Sequence, residues 1–69
     1  MTGKVKRWFN KGGYGWITSD EDNVDYFVHC SAIVGEGYKS LFEGVAVEFV
    51  LVMGSKHLLI CDNVREIPL

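Results

Sequence analysis

Beyond Gly3, glycine stands at positions 12, 13, 15, 35, 37, 44 and 54, and between these points the chain runs in short segments rich in Val, Phe, Tyr, Trp and Ile. Glycine weakens the interior of any regular element and marks turns, while β-branched and aromatic residues suit a pleated, half-buried surface. No segment carries a helical period. The pattern predicts strands at about residues 3–10, 13–19, 24–30, 44–53 and 57–65. The long connection, residues 31–43, is expected to hold a single 3₁₀ turn near Ser31 to Ile33. The one proline, Pro68, lies in the tail, and there is neither a repeat nor a linker.

Short strands with one long connection between the third and fourth predict an all-β, five-stranded antiparallel Greek-key barrel of the OB type; an SH3-like barrel is the structural alternative. With 69 residues the chain can enclose one hydrophobic core, so residues 1–69 are read as a single domain with its core within about 3–65. At 48% hydrophobic residues and without a charged or low-complexity run, the composition excludes intrinsic disorder. No stretch approaches the roughly 18 apolar residues of a membrane helix, and no signal-peptide pattern opens the chain. A cytoplasmic protein with reduced thiols at Cys30 and Cys61 is the expectation. Metal-ligand spacing is lacking, and neither a metal nor a cofactor is expected.

Strand periodicity locates a candidate binding face. In Gly13-Tyr14-Gly15-Trp16-Ile17 successive side chains point to opposite faces, so if Ile17 is inside, Tyr14 and Trp16 are displayed outside. The same reasoning with Val28 inside displays Phe27 and His29. With Val5 inside, strict alternation displays Lys4, Lys6 and Trp8, and turns Phe9 inward. Rings exposed side by side cost solvation free energy unless they meet a ligand. Unpaired bases are their natural partners, since stacking contributes about 1–3 kcal/mol per base while Lys and Arg follow the phosphates. The net charge of −2 opposes such a role as a total. Lys4, Lys6, Arg7 and Lys11 nevertheless occupy a stretch without acids, and Asp20, Glu21, Asp22 and Asp25 follow it, so a basic local field is expected at the face.

These motifs occur in an ordered series. Gly3-Lys4-Val5-Lys6 precedes Trp8-Phe9-Asn10; the Tyr14 and Trp16 segment and Phe27-Val28-His29 follow as two ribonucleoprotein-like motifs. Then come Ser31-Ala32-Ile33, Gly37-Tyr38-Lys39-Ser40-Leu41, Glu43-Gly44 and Asn63-Val64. From Gly3 to about Val64 the chain resembles the cold-shock domain family, and in particular the bacterial cold-shock proteins. The resemblance implies low-selectivity binding of single-stranded RNA or DNA and an RNA-chaperone role. It implies base stacking on Trp8, Tyr14, Trp16, Phe27, His29 and Tyr38, with phosphate contacts from Lys4, Lys6, Lys11 and Lys39.

Several positions depart from the family pattern. Arg7 is an extra residue between Lys6 and Trp8, and a β-bulge is expected to spare its guanidinium from the core. The following loop is one residue shorter, with Gly12 where the family usually has a basic residue. Cys30 stands where a ring is usual, Tyr26 where a small aliphatic is usual, and the Leu58 to Asp62 segment is one residue longer, which is expected to alter the register of strands four and five. The apolar runs Val50 to Met53 and Leu58 to Ile60 predict a homodimer through those strands. No enzyme activity is expected: His29 and Cys30 are strand neighbours on opposite faces and cannot share a proton. The competing functional class is a small barrel that docks a protein on the same aromatic face.

Overall fold

The computed structural model describes residues 1–35 and 39–68. Its strands are β1 (Thr2–Phe9), β2 (Tyr14–Ser19), β3 (Asp25–His29), β4 (Ala46–Met53) and β5 (Leu59–Glu66). They close into a barrel in the order β1-β2-β3-β5-β4, with β4 returning to β1. Neighbouring strands are antiparallel except β3 and β5, which meet in parallel at Phe27 and Ile60. This is the expected OB-type Greek key. Among the described residues no helix is long and apolar enough to cross a membrane.

Every strand lies within two residues of its expected bounds at either end, and the differences have local causes. β4 starts at Ala46 because Gly44 turns the chain at φ +89°. The fifth strand starts at Leu59 because Lys56 and His57 take left-handed backbone (φ 61° and 60°) in a 3₁₀ turn, Ser55–His57, which the strand pattern did not anticipate. The anticipated 3₁₀ turn after β3 is present one residue early, at Cys30–Ala32.

Two irregularities adjust the barrel. In β1, Val5 pairs with Ile17 and Arg7 with Trp16, so Lys6 has no partner across β2: the expected bulge. In β5, the register shifts between Glu48 and Val50 of the partner strand, and the extra residue falls beside Asn63, whose φ is +51°. This shift brings Cys61 and Val64 both inside although they are three positions apart.

The core holds Val5, Trp8, Ile17, Val28, Val47, Phe49, Cys61 and Val64 from the strands, and Leu41 from the long connection. Trp8 corrects an expectation. Strict alternation had carried the parity of Val5 straight through the bulge. The extra residue reverses it, so Trp8 is only 9% exposed and Phe9 turns out to 37%. Space for the indole comes from Gly15, its partner in register. A β-carbon at position 15 would lie 2.2 Å from the Arg7 carbonyl oxygen and 2.8 Å from Trp8 Cε3.

Two outcomes follow from this packing. Gly15→Ala should destabilise the fold by at least the roughly 1–3 kcal/mol of an overpacked core, measured by denaturant unfolding. Burial pushes the Cys61 thiol up to about 12 from its ordinary 9.0. The folded state therefore holds its proton where the unfolded chain releases it, and this contribution is complete below about pH 9 and lost as pH rises toward 12. Cys61→Val should flatten that alkaline loss in a pH series of unfolding curves. At neutral pH a thiol reagent should label Cys30, which is half-buried, and leave Cys61 unmodified in the native state.

Candidate nucleic-acid interface

The outer surface of β1, β2 and β3 carries the rings in two cross-strand rows. One row runs Phe9, Tyr14, His29; the other runs Arg7, Trp16, Phe27 and on to Ile60 of β5. Phe9 stacks on Tyr14 with centroids 5.0 Å apart at 27°, and Tyr14 stacks on Phe27 at 5.9 Å and 23°. Trp16 meets Phe27 edge to face at 5.7 Å and 79° and is 38% exposed. The structure thus brings Tyr14, Trp16, Phe27 and His29 together on one face, as alternation required. Trp8 is not among them. Phe9 takes its place, and bulge parity was the signal that could have found it. Tyr38 lies outside the described residues.

Tyr14 lies flat because Gly12 has no side chain: a β-carbon there would lie 2.4 Å from the Tyr14 ring. A basic side chain at position 12 would displace the ring, which leaves the exposed Lys11 as the cation of this turn. Gly13, at φ +66°, completes the turn, accepting from Cys30 N–H and donating to the Phe9 carbonyl, both at 2.8 Å. A β-carbon on Gly13 would stand 3.0 Å from Cys30 Sγ. Cys30 thus lies half-buried beneath this turn, packed against the core, and offers no ring-like surface. Tyr26 is also half-buried against the core, its hydroxyl donating to Asp22 at 2.7 Å.

His29 is exposed and held by its own strand end. Ser31 N–H donates to His29 Nδ1 at 3.1 Å, and Ser31 Oγ and Cys30 Sγ lie 2.9 and 3.9 Å from the same nitrogen. His29 and Cys30, the two neighbours expected on opposite faces, thus meet because Cys30 already belongs to the 3₁₀ turn. Since a backbone N–H can only donate, Nδ1 is the acceptor of the bond from Ser31 N–H. Asn10 ties the other end of the face: its Oδ1 accepts from Trp8 Nε1 at 3.0 Å and from Ser40 Oγ at 2.8 Å. That clamp draws the half-buried Lys39 segment to the end of β1.

Charge at the face is arranged differently from the linear sequence. The basic and acidic stretches, separate along the chain, are interleaved by the barrel. Lys4 pairs with Asp20 at 3.8 Å, Lys6 with Asp25 at 2.7 Å and Arg7 with Glu43 at 3.7 Å. Lys6 first, and then the Thr18 hydroxyl, holds the Asp25 carboxyl below its usual range, so at neutral pH this acid is ionised. The face is therefore not a free basic field. These pairs are exposed, and such pairs contribute only about 0–1 kcal/mol, so an incoming phosphate can exchange for the carboxylate.

Beyond Phe27 the surface becomes aliphatic. Leu58, Leu59 and Ile60 face Trp16 and Phe27 across a groove of about 430 Å³, with Asp25 and Ser55 also lining it. The apolar composition of residues 58–60 was visible in the sequence; their meeting with the rings of β2 and β3 depends on the parallel contact of β3 with β5.

Comparison with known proteins agrees with this geometry. The family model described as the 'Cold-shock' DNA-binding domain matches residues 1–66. "Cold shock-like protein CspA" of Stigmatella aurantiaca is 48% identical over 68 residues, covering 97% of each chain. "Cold shock-like protein" of Thermotoga maritima is 55% identical over 56 residues, 81% of this chain and 83% of that one. "Cold shock protein 1" of Arabidopsis thaliana is 58% identical over 55 residues, where the match spans 78% of this chain but only 18% of the longer plant protein. With its ringed face on an OB-type barrel and its match to the family over nearly all its length, the chain belongs to the cold-shock domain family.

Proposed function

We propose that the protein binds single-stranded RNA or DNA in the cytoplasm with little sequence selectivity, stacking unpaired bases on its outer face and keeping them from pairing, as an RNA chaperone does. The observation that carries this reading is the run of adjoining rings Phe9, Tyr14, Phe27 and Trp16 on the outside of the barrel. Each ring offers a π surface that any base can use, which suits tolerant binding. His29 extends the row, and Lys4, Lys6, Lys11, Arg7 and Lys39 supply cations around it. Holding a strand by stacking fits a chain whose net charge is −2, because that part of the affinity does not depend on net positive charge.

A second proposal concerns self-association. β1 covers β4 only as far as Phe49, so among the described residues the half of β4 from Val50 to Met53 pairs with β5 on one side alone. Val50, Val52 and Met53 are exposed there. A strand from a second copy satisfies both the open backbone edge and the apolar side chains, giving a homodimer through β4 and β5. Sedimentation equilibrium should show mass rising with concentration; a monomer at high micromolar concentration overturns this.

The binding reading is tested by titrating short pyrimidine-rich DNA and RNA against intrinsic fluorescence. Trp16 should be quenched, Trp16→Phe should abolish the quench, and Phe27→Ala should weaken binding by about 1–3 kcal/mol. Flat fluorescence with both nucleic acids overturns the reading in favour of protein docking. Three or four phosphate contacts give a log–log salt slope of roughly −2 to −3 for a single strand, and a slope of about −6 or steeper overturns the stacking account.

A further inference from the structure

Arg7 was expected to escape the core and to add its charge to a basic field at the face. The bulge does more than release it: Arg7 is set outward, in register with Trp16, and its Cζ lies 5.4 Å from the centroid of the Phe9 ring. Guanidinium, Phe9, Tyr14 and Phe27 then follow one another at 5.4, 5.0 and 5.9 Å. A guanidinium is flat, delocalised and weakly hydrated, and it stacks on planar groups in a way an ammonium cannot. In this row it occupies the position of one more ring.

Its orientation is supported from β1 itself. The Glu43 carboxylate oxygen Oε2 lies 3.4 Å from the backbone nitrogen of Trp8, accepting its hydrogen, and 3.7 Å from Arg7 Nε. The acid is thus tethered to the strand and holds the inner edge of the guanidinium. The Arg7 side chain is 60% exposed, so much of it stays open to a ligand.

We propose that Arg7 is a base-stacking platform: an unpaired base rests on the guanidinium surface turned away from Phe9, adding one nucleotide position at the β1 end of the interface. This rests on the single-strand reading above and gives one of its cations a second, stacking role. Arg7 lies on the surface, so its replacement leaves the core intact.

The test compares Arg7→Ala and Arg7→Lys with the wild-type protein, using pyrimidine-rich DNA of graded length, Trp16 fluorescence and a salt series. Phe27→Ala serves as the reference, and melting temperatures check folding. Both Arg7 variants should weaken binding by about fivefold, the lower end of the stacking range. Their affinity should stop rising one nucleotide earlier than that of the wild type, and Arg7→Lys should keep the wild-type salt slope. Wild-type affinity in Arg7→Lys with a loss in Arg7→Ala would show that charge suffices, and wild-type affinity in both would show that the residue is idle; either result overturns the platform while Phe27→Ala still reports the site. If no oligonucleotide quenches Trp16 and Phe27→Ala changes nothing, the single-strand reading itself falls, and the platform with it.

Discussion

The contact between the Trp8 indole and the bare backbone of Gly15 organises this barrel. It places the largest side chain of β1 inside, next to Val5 and Ile17, and does so only because Gly15 contributes no atoms on that side. A single inserted residue in β1 makes the arrangement necessary. With Lys6 left unpaired in the bulge, every later residue of the strand changes face: Arg7 goes out, Trp8 in, Phe9 out. Burying an indole also requires a partner for its N–H, and Asn10 supplies one. Asn10 then takes a hydrogen bond from Ser40, so the same contact fastens the long connection to the barrel.

The outer face follows from this inner one. Phe9 is available to stack on Tyr14 because Trp8 has taken the inward position, and Tyr14 can lie flat because Gly12 leaves the space above the turn empty. The two glycines act at different places for different ends, one admitting a ring to the core and the other laying a ring on the surface. Around them, Lys4, Lys6 and Arg7 each stand beside an acid. Such pairing orients long side chains and restrains the field of the face while leaving the charges exchangeable.

How far the site was legible depends on the range of the interaction that sets each feature. Tyr14, Trp16, Phe27 and His29 were assigned to one face from alternation alone, and the structure agrees, because β2 and β3 pair without a bulge. Trp8 and Phe9 were assigned to the wrong faces although the bulge itself was expected: alternation was not restarted beyond the extra residue. The charges misled for another reason. Separation along the chain suggested a basic patch, whereas the turn after β2 folds Asp20 and Asp25 back onto β1.

By itself the sequence determined the all-β class, the OB-type order of strands, the glycine turns and most of the ringed surface. These depend on a two-residue period, on turn chemistry and on motif order, which are local or are read in series. Tertiary structure alone decided which side of β1 faces the core beyond Lys6, which acid neutralises which base, and that the aliphatic segment of β5 meets Trp16 and Phe27. The physical reason is common to all three. Each depends on register between strands distant in the chain, and register is chosen by the packing of the closed barrel, as when the space over Gly15 receives Trp8.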